Sequence, residues 1–562
     1  MRKRKILLIC MAFIMMASLF AACSGGKDAN TQPANTPGTT NGGNNGDGGL
    51  EPVTFTYFNF QNRAQDKMAS ETTIGKILQD QTGVDWKIEY LVGDAETKSG
   101  VMMAGGDYPD VIGLDGQYEK FLDAGALLPL DDLIEQHGPN IKRVYEPYFD
   151  LMRHSDGHIY ILPYSANVGY IPEPDIGQGA FWIQRSVLKE FGYPFVTTLN
   201  EYFDLIRQYI QKYPTTEDGA RRIGFAIYAP TGAFYTVTNA SNHLAGYPND
   251  GDVMIDMETY EAKMYAGSEW EKRWVKALND LNAEGLFDPE TFTMDQDQFI
   301  EKMTTGRLLG FFAYGWQVGE ATNVLRTGPD EMRYAPLPVT FEEGIKDQYL
   351  DPPSFVANRG VALSVKAKDP VRIIQYFDNM LKEENQKLIQ WGIEGENYLV
   401  DENGRFYMTK EQLDNRNDNQ FKEKFGWMDF EYGWPRYGNN SVFEDGNAFA
   451  VGNQPEIFQM GLTDGDKAIL EAFGAETFSG YFSEPDERPW YPAWSFTIEQ
   501  GSPEQLVKKQ VEELQLQYVT QMVLANPADF EGLWERYTQE LSRLDIARYE
   551  QFMTEEVKKR LN

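Results

Sequence analysis

Alternation of apolar and polar positions opens the folded part of the chain. Val53-Thr54-Phe55-Thr56-Tyr57-Phe58-Asn59-Phe60 reads as a strand. Val84, Trp86, Ile88 and Tyr90 alternate with Asp85, Lys87 and Glu89 as a second, half-buried strand. Between them the spacing predicts a helix over 70–81 that stops at Gly83. A short helix over 98–104, a turn over 105–110 and a third strand, Val111-Ile112-Gly113-Leu114, follow. Strand, helix, strand, helix, strand is the pattern of a parallel α/β sheet. The pattern resumes as a helix over 270–281, a strand over 308–313, another over 360–365, and a helix over 371–388 opened by Asp369-Pro370. The clearest helix covers 502–524. Ser502 can cap it, Pro503 suits its first turn and Gln505 completes a capping box. Its apolar face is Val507, Val511, Leu514, Tyr518 and Met522.

The first fifty residues read differently. Met1-Arg2-Lys3-Arg4-Lys5 precedes an uncharged run from Ile6 to Ala22 and then Cys23, which is a secretory signal. Leu19-Phe20-Ala21-Ala22-Cys23-Ser24 resembles the bacterial lipobox, with Phe20 where Leu is usual. That resemblance implies cleavage before Cys23 and lipid on its thiol; an uncleaved anchor helix is the alternative. Residues 24–50 are rich in Gly, Asn and Thr, with no ring to bury, and read as a flexible tether. Such a tether spans roughly 30 Å, and two acyl chains suffice for stable anchoring.

Charge narrows the partners. Lys and Arg number 51 against 85 Asp and Glu, a net −34. Loss of Arg2, Lys3, Arg4 and Lys5 with the signal leaves 47 against 85, or −38. A field of that sign excludes non-specific nucleic-acid binding and disfavours adhesion to anionic lipid. Aromatic residues make up 14% of the chain, which argues for a true core. Two Cys in 562 residues exclude a disulfide scaffold and a Cys-rich metal site.

Several segments then line up with one family. Met103-Ala104-Gly105-Gly106-Asp107-Tyr108-Pro109-Asp110-Val111, the stretch Asp123 to Asp132, and Asp156-Gly157-His158-Ile159-Tyr160-Ile161-Leu162-Pro163 resemble its first turn, helix entry and hairpin. Trp182-Ile183-Gln184-Arg185, Ala283-Glu284-Gly285-Leu286-Phe287-Asp288-Pro289, the strand from Thr305 to Trp316 and Gly392-Ile393-Glu394-Gly395-Glu396-Asn397-Tyr398 continue the match in order. The chain from about 52 to 560 resembles the extracellular solute-binding proteins of family 1, in the large lipoprotein subgroup of Gram-positive bacteria. Those are sugar and oligosaccharide receptors of ABC importers. The resemblance implies a two-lobed, periplasmic-binding-protein-like α/β fold of type II, with a ligand cleft between the lobes. It implies a first lobe over 52–165, a second over 166–305, a return to the first over 306–365, and the rest of the second over 366–562. It also implies partners: a carbohydrate ligand, two permease subunits and a separate ATPase, since no phosphate-cradling loop is present here. The protein is expected to act as a monomer, without cofactor or metal, on the outer face of the cytoplasmic membrane.

A sugar presents hydroxyls and apolar C–H faces, so its receptor needs rings and paired polar groups. Ligands of open α/β sheets sit beyond the carboxyl ends of strands. That selects Asn59 and Gln61, Asp115, Tyr164, and the run Tyr314, Trp316 and Gln317, with Trp182 from the matched element. Residues 421–496 hold 18 aromatics in 76 positions, so they read as ring-rich loops forming a lid or wall. Trp434 and Trp490 are taken from them, with Arg436 and Glu396 as polar contacts; Tyr432 and Trp494 belong to the same crowd. His154 and His158 flank an Asp-Gly turn, which denies them helical metal-ligand geometry. Two other functions fit the same chain: a surface-anchored glycoside hydrolase, which needs a pair of carboxylates, and an importer receptor for peptide or another solute.

Overall fold

The computed structural model describes residues 51–62 and 65–561. The expected signal, Cys23 and the tether up to residue 50 lie outside the described residues. Ten strands build two mixed sheets. In chain order they are β1 (Val53–Asn62), β2 (Lys67–Met68), β3 (Val84–Leu91), β4 (Val111–Asp115), β5 (Leu162–Pro163), β6 (Gly179–Gln184), β7 (Ile223–Ile227), β8 (Leu308–Tyr314), β9 (Tyr334–Leu337) and β10 (Arg359–Leu363). The first sheet runs β2-β3-β1-β4-β10-β5 and the second β9-β6-β8-β7. β3, β1 and β4 are parallel, as the alternating pattern predicts, while β10 pairs antiparallel with β4 and β5. In the second sheet β7 and β8 are parallel, and β6 runs against β8 and β9.

Local signals set the elements. The helix Thr73–Thr82 starts at Thr72, whose side chain accepts from the Gly75 N–H, and ends at Gly83 with φ 68°. Only a residue without Cβ adopts that conformation freely. The long helix Pro503–Leu524 is capped by Ser502 through the Gln505 N–H at 3.2 Å. Gln505 reaches the Gly501 N–H at 2.6 Å, so the expected capping box is not closed. Its buried face is Val507, Val511, Gln515, Val519 and Met522 rather than one through Leu514 and Tyr518. Gln515 is drawn inward because it donates to the buried Glu271 at 2.8 Å. The expected helix over 371–388 is two helices, Pro370–Met380 and Glu383–Gln390.

Each sheet has its own core. Around the first lie Phe55, Tyr57, Trp86, Phe377, Trp427 and Trp434. Around the second lie Phe181, Tyr202, Phe225, Trp274 and Phe312. Each such ring withdrawn from water contributes about 1.5–3 kcal/mol. The first core takes residues up to Ala166 and again from Phe355 to Ile457, whereas the second takes Ile176 to Tyr349 and resumes at Ile469. The chain therefore passes between the bodies three times, near 166–176, 349–355 and 457–469.

This corrects the expected boundaries. The strand β8 is hydrogen-bonded between β6 and β7 in the second sheet, so the return to the first body begins only near 355. The segment 366–457 packs in the first core, not the second. An apolar strand such as Leu308-Leu309-Gly310-Phe311-Phe312 carries no local mark of the sheet it will join.

Candidate cleft between the two bodies

β8 ends at Tyr314, which opens the helix Gly315–Leu325. Tyr314 is buried, and its hydroxyl accepts from Asn239 Nδ2 at 2.9 Å. Gln317 is buried too: its Oε1 accepts the Tyr314 N–H at 3.0 Å and its Nε2 donates to Thr236 Oγ1 at 3.1 Å. Gln317 thus closes the helix start and is not free for a ligand, which corrects that expectation. Trp316 is the residue this turn leaves open. It is 67% exposed and stacks on Tyr314 with centroids 6.3 Å apart at 22°. Tyr235, first residue of the helix Tyr235–Leu244, lies 6.1 Å from Tyr314 and keeps an exposed face. Burial pushes its hydroxyl up to about 12, held down in part by the Arg359 guanidinium of the first body.

The first body answers with polar groups. Arg359 begins β10, and the antiparallel register sets it opposite Asp115 at the end of β4. Arg359 Nε lies 3.2 Å from Asp115 Oδ1, with both side chains half exposed. Tyr164 follows β5; its N–H donates to Arg359 O at 3.1 Å, and burial, with Tyr57 and Asp115 nearby, raises its hydroxyl pKa. Asn358 Nδ2 donates to Ser495 O at 2.9 Å, and the Arg359 guanidinium stands 5.5 Å over the Trp494 ring. Trp316 and Trp494 are the tryptophans left exposed among the described residues; Trp316 and Tyr235 both pack on Tyr314, Trp494 packs under Arg359, and the Arg359 charge is felt at Tyr235.

Trp494 is carried by a segment anchored in the second body. Arg488, fully buried, donates to Asp351 at 2.8 Å and lies 3.9 Å from Asp250. Burial pushes Asp250 up to about 6 against the pull of Arg488. Gly251 has φ 77°, and a Cβ there would stand 2.9 Å from Trp494 Cβ, so glycine lets the segment lie against this loop.

Other expected contacts prove structural. Asn59 is 1% exposed, and its Oδ1 accepts the Gln61 N–H at 2.9 Å beside the half-buried Gln61. It is roofed by Gly433, where φ is 85° and a Cβ would meet Asn59 Nδ2 at 2.4 Å; Tyr57 donates its hydroxyl to Gly433 O. Trp434 is 0% exposed, 4.8 Å from Tyr57 and 5.5 Å from Trp86 in the first core. Trp490 is buried in the second core against Tyr260 at 5.7 Å. Trp182 donates Nε1 to Ala313 O at 3.0 Å and stacks on Phe311, inside its own sheet. Arg436 is buried, bonded to Tyr437 O and Asn439 Oδ1, and backs the exposed ring of Tyr432 at 5.1 Å. Glu396 is exposed on a turn of the first body and shares none of these contacts.

Of the expected residues, Trp316 stacks on Tyr314 in the second body, while Asp115 and Tyr164 meet at Arg359 in the first, whose charge is felt at Tyr235. The reading of strand ends missed Arg359 and Tyr235. Arg359 starts an antiparallel strand, so a rule based on carboxyl ends passes over it; the Gly360 to Val365 run one residue later was the available signal. Among the described residues no group of three or more His, Cys, Asp or Glu could hold a metal, and no helix is long and apolar enough to cross a membrane.

The profile of the bacterial extracellular solute-binding proteins matches residues 66–387. The fructooligosaccharide ABC transporter substrate-binding protein FusA of Streptococcus pneumoniae is 26% identical over 271 residues, 45% of this chain and 48% of that one. The chain thus matches about half the length of that curated relative. FusA in complex with kestose superposes with a TM-score of 0.68 at 18% identity, over 90% of this chain and 99% of that one. An HMO-binding, ABC-transporter-associated solute-binding protein from Bifidobacterium longum infantis gives 0.65 at 17%, over 91% and 99%. At those identities the likeness is one of fold, two lobes around a cleft. Profile and fold agree, and the chain belongs to the bacterial extracellular solute-binding proteins.

Proposed function

We propose that the protein captures an oligosaccharide outside the cell and passes it to the permease pair of an ABC importer, driven by a separate ATPase. It performs no chemistry on the sugar. What supports this reading is the open rings Trp316 and Tyr235 of the second body, and Trp494 under the Arg359 guanidinium of the first, whose charge also reaches Tyr235 and which pairs with Asp115. Ring faces stack on sugar C–H faces, and the pair offers donors and acceptors to hydroxyls. Three crossings act as a hinge about which the bodies close. The names of the similar proteins, for fructooligosaccharide and HMO, point to the same ligand class. Cys23 carries the lipid that holds this monomer to the outer face of the membrane, with residues 24–50 as its tether.

A melting screen tests the reading. At a hundredfold excess over Kd, a bound oligosaccharide stabilises the fold by about 2.7 kcal/mol, and chromatography recovers the sugar intact. Release of shortened products would establish a hydrolase instead, and shifts with peptides alone would establish a peptide receptor.

A further inference from the structure

The first crossing carries a carboxylate without a hydrogen-bond or ion-pair partner among the described residues. The backbone of Glu173 is pinned: its O accepts from Ser479 Oγ at 2.7 Å, and Pro174 O accepts from the Ser479 N–H at 3.2 Å. Its side chain is half-buried and makes no hydrogen bond or ion pair among the described residues. Two glycines set its place. A Cβ on Gly177 would stand 2.6 Å from Glu173 Oε2. A Cβ on Gly315 would stand 2.6 Å from Ile176 O and 3.1 Å from Gly177 Cα. The crossing therefore lies directly against Gly315, the residue before Trp316, with the Glu173 carboxylate folded back onto Gly177.

The charged surroundings are acidic on several sides. Asp175 lies on the same segment and Asp351 on the second crossing, where Arg488 pairs with it. Tyr170 senses both Glu173 and Glu484. Tyr432 senses Glu173 along with Glu431, Arg436 and Arg416. Burial first, then the Asp175 and Asp351 charges, push the Glu173 carboxyl up to about 7. A half-buried, unpaired carboxylate on the segment that packs against Gly315 is an acceptor waiting for donors, and sugar hydroxyls are donors without charge.

We propose that Glu173 is a ligand-contacting, specificity-determining residue of the cleft: it accepts hydrogen bonds from sugar hydroxyls next to Trp316 and, with Asp175 and Asp351, restricts the site to glycans without acidic groups. This rests on the oligosaccharide reading above. Donors favour the charged carboxylate, so ligand lowers its pKa, and affinity is greatest above pH 7 and declines as pH falls below it.

The test is calorimetry on the full chain with 1-kestose, maltotriose, xylotriose and lacto-N-tetraose as neutral probes and trigalacturonate as the acidic one. At least one neutral probe binds, and the uronate binds far more weakly. From pH 8 to 5.5 the neutral probe loses about tenfold in affinity or more, one protonation being linked to binding. In Glu173→Gln the neutral probe binds about tenfold more weakly, a charge-assisted bond being lost, while the preference against uronate narrows. The pH slope flattens. Glu173→Ala repeats the loss, and unchanged melting of both variants shows that they fold. Wild-type affinity and pH slope in both variants would overturn the proposal while leaving the sugar receptor intact, as would uronate binding better than every neutral probe. If no glycan binds at all, the receptor reading falls and the proposal with it.

Discussion

Two strand ends, one in each sheet, occupy equivalent places and have opposite fates. In the first body β1 leaves its pairing with β4 at Asn59, and in the second β8 ends at Tyr314. Both precede polar and aromatic residues, and both lie at the carboxyl edge where ligands of α/β sheets bind. Yet Asn59 is sealed under Gly433 and its neighbour Trp434, whereas Trp316 stands 67% exposed. The difference does not lie in the strands. It lies in the segment 431–437, which comes from nearly four hundred residues away to roof one edge, whereas at the other the crossing packs on Gly315 and leaves the Trp316 ring open. A strand end is a binding edge only where distant chain leaves it open.

Breaking the roof should have the largest effect. Trp434→Ala removes a fully buried ring from among Tyr57, Trp86 and Phe430, and unfolding free energy should fall by about 3–5 kcal/mol. A denaturant titration checks it; a loss under 1 kcal/mol would mean that the roof is not part of the core. Gly433→Ala forces a side chain onto a backbone at φ 85° and against Asn59 Nδ2. That should cost about 1–3 kcal/mol, read by the same titration.

The bodies also differ in what they bury. The second core encloses Glu271, which accepts from Gly267 N–H, Gln515 and Tyr537. Burial pushes its carboxyl from 4.5 up to about 7. Protonation is therefore favoured by folding: this stabilisation is fully present below pH 4.5 and is lost as pH rises through about 7. Glu271→Gln should gain melting temperature relative to wild type as pH is raised from 5 to 8. A constant difference across that range would mean that the carboxyl is not titrating as its burial requires. The smallest effect belongs to the sealed edge. Asn59→Ala should change sugar affinity less than about twofold while costing stability about 1 kcal/mol through the lost bond to Gln61 N–H. A tenfold loss of affinity would place Asn59 back in the cleft.

Much of the local structure was legible. Thr72 and Gly83 bound a helix, Ser502 caps another, and β1, β3 and β4 form in parallel as their alternation predicts, because caps and periodicity act over a few residues. Pairing and covering act over hundreds. Nothing in Leu308 to Ala313 says that its partners are β6 and β7, and nothing in the ring-rich stretch 425–437 separates Trp434, which is buried, from Tyr432, which is open. Aromatic density marked a region correctly as unusual, but most of its rings pin long loops to a core. Trp316 was legible because the rule that ligands sit beyond strand ends points to the residues after β8, of which Trp316 stands open while Tyr314 and Gln317 are buried. Arg359 was not, because its role arises from the register that sets it against Asp115.

The most direct test of the open edge is the affinity of Trp316→Ala for the oligosaccharide that most raises the wild-type melting point. A stacking platform is worth about 1.4 kcal/mol or more, a factor of ten, so binding should weaken tenfold or more with the ligand-free melting temperature unchanged. Undiminished affinity in a folded variant would contradict the account and remove Trp316 from the site.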